Sequence, residues 1–105
     1  RETLEKLGMP SQVVMRHRTP QFAHVFSGDG YSAGYYSYLW SDTLTSDCAE
    51  AFVEAGSFYD EATAARLRDT ILSVGNTVDP AQAFRNFRGR DPEVDALLRS
   101  RGFVE

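Results

Sequence analysis

The chain has 105 residues, which suits a single domain. Its composition, 42% hydrophobic and 25% charged, is typical of a soluble globular chain, and no apolar run is long enough to span a bilayer. A formal net charge of −4 argues against nucleic-acid binding, and the single Cys48 excludes an internal disulfide, so stability must come from packing.

The first eight residues show no initiator Met and no signal-peptide pattern, and they start within an amphipathic helical turn. We therefore expect the chain to begin inside a longer protein. Pro20 interrupts residues 11–23, a pattern that predicts a short helix followed by a loop. Two glycines flank Asp29, and because glycine tolerates left-handed backbone angles, we interpret residues 26–30 as a flexible loop.

A long amphipathic helix is predicted from residue 35 to residue 55. This stretch contains neither Pro nor Gly, and its larger apolar residues recur at helical spacing. These apolar residues are Leu39, Trp40, Leu44, Cys48, Phe52 and Val53. The helix also carries acidic residues, which we interpret as a solvated face and not as a catalytic set. They are Asp42, Asp47, Glu50 and Glu54.

Capping signals predict three more helices. Asp60 is a predicted N-cap and Gly75 a left-handed stop, so we expect a helix between them. Asp79-Pro80 and Asp91-Pro92 each supply a capping oxygen and then a Pro that suits the first helical position, which predicts two short helices. No segment alternates in polarity over the length of a strand, apart from an arguable stretch at residues 13–15. The sequence therefore predicts an all-α fold.

Four of the five tyrosines lie within residues 31–38, directly after the Gly-rich loop. Tyr31, Tyr35 and Tyr38 stand at i, i+4 and i+7, so a helical segment would project three phenols toward one side, where they could converge on a ligand. The small residues between them would let an extended peptide approach the backbone. The alternative is that the rings fill a core while each hydroxyl finds a backbone acceptor. The residues alone leave both interpretations open.

Other kinds of site have weaker signals. His17 and His24 are the only histidines, and no Cys, Asp or Glu cluster joins them at zinc spacing, so neither is a predicted metal ligand. His17 lies between two arginines, and we expect it in a solvated basic turn. Ser27 lacks both the elbow pattern and an evident base that a serine hydrolase needs.

The run at residues 24–40, HVFSGDGYSAGYYSYLW, resembles the thimet oligopeptidase and peptidyl-dipeptidase family of zinc metallopeptidases. The similarity extends through RHR at residues 16–18, ILSVG at 71–75, FRGRDP at 87–92 and LLR at 97–99. It implies the carboxyl-terminal helical segment of a larger, channel-containing helical enzyme. In that family a His-Glu-x-x-His helix and a later Glu bind zinc, and this chain contains none of them.

The resemblance also implies roles for particular residues. Tyr38 corresponds to the phenol that stabilises the tetrahedral intermediate, a suitable group because a phenol stays protonated at neutral pH and can donate to an oxyanion. The residues implied in substrate binding are His24, Gly28, Gly30, Tyr31, Gly34 and Tyr35. Zinc is implied as the cofactor of the whole enzyme, with no metal ligand in this chain.

The implied partners are a short peptide substrate and the rest of the catalytic domain, in a cytoplasmic location. We expect the chain by itself to be inactive and to self-associate through apolar surface, with Phe22, Val25 and Phe26 as candidates. The alternative hypothesis is a freestanding small helical binding module that performs no catalysis.

Overall fold

The structure is a computed structural model that describes residues 1–104. The regular elements in that part of the chain are all helical and include no strand, which confirms the predicted all-α class. Contacts divide the chain into two compact units, Arg1–Tyr36 and Ser37–Glu105. No helix of the described residues is long and apolar enough to cross a membrane.

The first unit contains two short helices, α1 at Glu2–Lys6 and α2 at Ala23–Phe26, with a 3-10 turn at Thr19–Gln21 before α2. The helix predicted at the start of residues 11–23 is wrong, because residues 11–18 form turns, bends and irregular backbone. Pro20 lies instead in the first turn of the 3-10 helix, a position where its missing N–H costs no hydrogen bond. Throughout residues 1–36, no residue is fully buried.

The second unit begins with α3, Ser37–Glu54, which confirms the predicted long helix with a start two residues later than expected. Next comes α4, Glu61–Leu67, which continues into a π-helical turn at Arg68–Leu72. The predicted cap of α4 is confirmed, since the backbone N–H of Thr63 donates to the Asp60 carboxylate at 2.8 Å. Gly75 adopts the left-handed conformation expected of a stop, with φ +54°.

The two Asp-Pro signals have different outcomes. Asp79 caps α5, Pro80–Arg88, by accepting from the backbone N–H of Gln82 at 3.0 Å, as predicted. The start predicted at Asp91-Pro92 is wrong, because α6 runs from Asp95 to Ser100. The Asp91 carboxylate accepts from Arg85 Nε at 2.7 Å and caps no helix.

A small core lies in the second unit, where α3 packs against α6 and α5 packs against the π-helical turn. Its buried apolar residues are Ala51, Ala83, Phe84, Phe87, Ala96 and Leu97. The side of α3 that is buried carries Thr43, Asp47 and Ala51, spaced four residues apart. The predicted apolar face of α3 is therefore wrong in part, since Leu39, Trp40 and Val53 are each more than half exposed.

Candidate functional site

Five rings of the first unit form an aromatic cluster around α2. Phe22 precedes α2, and His24 lies within it. Tyr31 and Tyr35 lie in the turns between the Gly-rich loop and α3, while His17 lies in the bend before the 3-10 turn. The short α2 and the turn that follows it thus bring residues from both sides of the Gly-rich loop together.

Three of the residues implied in substrate binding contact one another within this cluster. The His24 ring lies 5.0 Å from the Tyr31 ring and 5.7 Å from the Tyr35 ring, measured between centroids. The two tyrosine rings are 5.7 Å apart. All three pairs meet edge to face, an arrangement worth about 0.5–1.5 kcal/mol per aromatic pair beyond buried area. The cluster therefore holds one imidazole and two phenols on a common platform.

Phe22, the residue before α2, also belongs to the cluster. Its ring packs edge to face on Tyr35, with centroids 4.9 Å apart, and lies 6.5 Å from His24. His17 stacks on Phe22 at 5.2 Å and is exposed, as predicted, but the ring contact was not predicted. Phe22 was predicted only as part of a surface for self-association. The spacing of Phe22 and His24, two ring side chains two residues apart, was the signal that could have indicated the ring contacts of Phe22.

The Gly-rich loop does not use the left-handed angles that its glycines tolerate. Gly28 and Gly30 have no positive φ, and the flexibility of residues 26–30 stays a prediction. The chain reverses instead through a series of turns, in which Ser32 Oγ donates to the Asp29 carbonyl at 3.1 Å. A Cβ added at Gly28 or Gly30 would meet nothing within 4 Å, whereas one at Gly34 would lie 3.4 Å from the Gly30 carbonyl oxygen. The backbone at Gly28 and Gly30 is thus open to an approaching ligand.

Tyr38 belongs to the second unit, in the first turn of α3, and it is 51% exposed. The same turn and the next carry Leu39 and Trp40, which are also more than half exposed. The start of α3 therefore presents a phenol and large apolar side chains at the surface of its unit.

A buried charge network joins the middle of α3 to the segment between α5 and α6. Asp47 is completely buried and accepts four hydrogen bonds. Arg88 Nε and Arg90 Nη2 donate to Oδ1 at 2.9 and 2.7 Å, while Arg90 Nη1 and the Glu93 backbone N–H donate to Oδ2 at 2.7 and 2.9 Å. We call Asp47, Arg88, Arg90 and Glu93 the Asp47 network.

The electrostatics of the network favour the charged state of Asp47. Burial by itself raises the pKa of this carboxyl, but the hydrogen bonds from Arg90 and the Glu93 backbone and the charges of Arg88 and Arg90 outweigh it, so the pKa is lowered. Arg88 is also nearly buried, and its two terminal nitrogens donate to the Glu54 carboxylate at 2.8 and 2.7 Å. Every buried side-chain polar atom of the described residues has a partner.

The prediction of a solvated acidic face on α3 is therefore wrong in part, since Asp47 is completely buried while the side chains of Asp42 and Glu54 are more than half exposed. All four acidic residues contact arginines that follow in the sequence: Arg99 donates to Glu50 at 2.8 Å and Arg101 donates to Asp42 at 2.7 Å, in addition to the contacts of Asp47 and Glu54. Only the outer pairs stay exposed to solvent. The charges hold the helices of the second unit together and do not form a free acidic surface.

A family model described as peptidase family M3 matches residues 2–103. The chain belongs to peptidase family M3. Oligopeptidase A from Haemophilus influenzae is 46% identical over 83 residues, 79% of this chain and 12% of that protein. Oligopeptidase A from Escherichia coli is 48% identical over 81 residues, 77% of this chain and 12% of the relative. Dipeptidyl carboxypeptidase from Salmonella typhimurium is 43% identical over 98 residues, which are 93% of this chain and 14% of that protein.

This M3 chain thus spans only 12% to 14% of the length of these relatives. Within the part that the structure describes, no group of three or more His, Cys, Asp or Glu side chains could hold a metal ion. A catalytic zinc takes about three protein ligands. The described residues of this M3 chain therefore do not supply a complete set of such ligands in one place.

Proposed function

We propose that this chain is the carboxyl-terminal part of a zinc-dependent oligopeptidase or peptidyl-dipeptidase that hydrolyses short peptides, and that it supplies part of the peptide-binding wall. The observation that carries the proposal is the convergence of His24, Tyr31 and Tyr35 beside an open glycine loop, in a chain that matches family M3 almost end to end. The remainder of the protein would contain the rest of the catalytic domain and would bind the zinc.

Peptide binding follows from the chemistry of the cluster. The two phenols can donate to and accept from a peptide backbone, and the imidazole adds a further polar group beside them. The edge-to-face contacts restrain the rings, so less side-chain freedom is lost when a peptide binds. Open space above Gly28 and Gly30 would admit an extended main chain that a side chain would block.

Tyr38 is proposed to donate its phenolic proton to the oxyanion that forms when the peptide carbonyl is attacked. Tyr38 lies in the first turn of α3 with about half of its surface exposed, a position compatible with contact to a substrate. A donor of this type contributes to rate more than to affinity, because its hydrogen bond strengthens as negative charge develops.

The test is steady-state kinetics of Tyr→Phe variants in the whole peptidase on one quenched-fluorescent peptide. Tyr38→Phe should lower kcat about 10²- to 10³-fold, the usual effect of removing one oxyanion donor. Tyr31→Phe should mainly raise KM, since its phenol would contact substrate and transition state alike. Tyr36→Phe is the matched control, because Tyr36 belongs to the same tyrosine-rich stretch and is 73% exposed. Wild-type kcat in Tyr38→Phe, with unchanged thermal stability, would remove the oxyanion role.

The second unit supports one alternative, a helical binding module without catalysis, because that unit has its own core and a satisfied charge network. Both hypotheses expect the chain alone to bind no zinc tightly and to hydrolyse no peptide. They differ in what surrounds the chain: only the peptidase hypothesis expects a longer protein, in which chelator-sensitive cleavage should be measured. Stoichiometric zinc in the dialysed 105-residue chain, with chelator-sensitive turnover, would contradict both.

A further inference from the structure

The Asp47 network and the proposed oxyanion donor lie on the same rigid element. Tyr38 and Asp47 are nine residues apart on α3, which at 1.5 Å per residue corresponds to roughly 13 Å along the helix axis. A straight helix moves as one body over this length. A shift or rotation of α3 at Asp47 would therefore displace Tyr38 by a similar amount.

The most buried contacts of α3 are made by small side chains. Its buried residues other than Asp47 are Thr43 and Ala51, while the larger Leu44, Cys48 and Phe52 are only partly buried. Large side chains set helix packing by fitting into the grooves of a partner helix, and small ones leave shallower ridges. Directional polar contacts can therefore add to apolar packing in determining how far along its axis α3 lies.

The hydrogen bonds of the Asp47 network are directional, so they can define both the axial position and the rotation of α3. Arg90 uses two nitrogens of one planar guanidinium to contact both Asp47 oxygens at 2.7 Å, a two-point contact that defines direction as well as distance. Arg88 adds a third bond and extends to Glu54 almost two turns further along α3. Gly89, between the two arginines, adopts the left-handed conformation, φ +77°, that ends α5.

We propose that the Asp47 network sets the axial position and rotation of α3, and that Asp47 and Arg90 thereby act as positioning residues for Tyr38. This inference rests on the proposed function of Tyr38. Neither residue needs to touch the substrate. Their effect passes through the helix, and it should affect turnover, where the phenol acts, more than substrate affinity.

Arg90→Lys tests the proposal with little damage to the fold. Lysine keeps the positive charge, but its single ammonium cannot reproduce the two-point contact of a guanidinium. The Arg90 side chain is 32% exposed, so the new ammonium can remain hydrated. Because a misplacement of about 1 Å can cost about 10²-fold in rate, we expect kcat of the whole peptidase to fall about 10- to 100-fold, with KM changed less than about twofold.

The matched control is Arg85→Lys. Arg85 lies on the same segment and forms an ion pair at 2.7 Å with Asp91, but neither of these residues belongs to α3. The substitution is chemically the same and removes a guanidinium contact of similar length. The proposal expects kcat and KM of Arg85→Lys to remain at the wild-type values.

A second readout reports on the helix itself and does not depend on activity. Trp40 is the only tryptophan, lies two residues after Tyr38 on α3 and is 55% exposed. In the 105-residue chain, acrylamide quenching and the emission maximum of Trp40 should change in Arg90→Lys and stay unchanged in Arg85→Lys. Far-UV circular dichroism at the same temperature verifies that both variants are folded. If Arg90→Lys does not fold, Arg90→Gln, whose single amide nitrogen also cannot make the two-point contact, replaces it with the same two readouts.

The outcomes separate this inference from the proposed function. If Tyr38→Phe loses turnover while Arg90→Lys keeps it, with Trp40 unchanged, the network serves stability alone and the positioning role is overturned. If Tyr38→Phe keeps wild-type turnover, the proposed function fails and with it the positioning of a catalytic group. A loss of kcat in Arg90→Lys that accompanies a changed Trp40 signal supports the inference.

Discussion

Asp47→Asn should destabilise the second unit far more than removing an exposed charge from the same helix would. The substitution removes a charge that two arginines face and converts one carboxylate oxygen into an amide donor, which would point at other donors. Of the four hydrogen bonds, the remaining oxygen can keep at most two. At least two of the donors then lose their acceptor in a buried position.

The magnitude follows from what each arginine retains. Breaking a buried ion pair by removing one partner costs about 3–5 kcal/mol. Arg88 keeps its two bonds to Glu54, and Arg90 is partly exposed, so we expect a value near the lower end, about 3 kcal/mol. Such a loss is a large part of the total stability of a small domain, which is about 5–15 kcal/mol.

The assay is urea unfolding of the 105-residue chain followed by circular dichroism at neutral pH. Asp42→Asn is the matched control, since Asp42 lies on the same helix and pairs with Arg101 at 2.7 Å, but its side chain is 58% exposed. An exposed pair of this kind contributes about 0–1 kcal/mol. Equal free energies of unfolding for the two variants would refute the reasoning that burial makes the Asp47 network important.

Four other predictions follow from the same structure. Because the pKa of Asp47 is lowered in the folded chain, its stabilising effect is present above the ordinary Asp pKa near 4 and is lost as pH falls through the pKa of the folded state. The difference in urea midpoint between wild type and Asp47→Asn should therefore become smaller at acid pH. Gly89→Ala should cost about 1–2 kcal/mol in urea unfolding, because φ is +77° at this position, whereas Gly28→Ala should cost less. Phe22→Leu should raise KM of the whole peptidase about 2- to 10-fold with kcat retained, because it removes aromatic contacts worth about 0.5–1.5 kcal/mol that restrain the cluster. An unchanged KM would contradict a role of Phe22 in holding the substrate-binding rings. Sedimentation velocity should show concentration-dependent self-association of the chain. The exposed apolar surface that would drive it includes Trp40 and an open apolar cleft of about 470 Å³ between α3, the π-helical turn and α5. A strict monomer at high concentration would argue against this prediction.

Local signals in the sequence were enough to predict the helices whose start depends only on neighbouring residues. Asp60 and Asp79 cap α4 and α5 through oxygens that contact a backbone N–H three residues later. Such a contact is determined within one turn of chain, so no distant partner can be needed. The run at residues 24–40 likewise carried enough specific residues to indicate the family that the comparison then showed.

Tertiary structure decided the outcome wherever a side chain had a choice of partners. Asp91-Pro92 carries the same capping signal as Asp79-Pro80, yet Asp91 pairs with Arg85 and the helix starts later. Asp47 lies among acidic residues that look solvated, but its partners Arg88 and Arg90 follow 41 and 43 residues later. Periodicity shows which residues share a face of a helix, but not what approaches that face. A buried charge is tolerated only where distant donors converge on it, and only the folded chain determines that convergence.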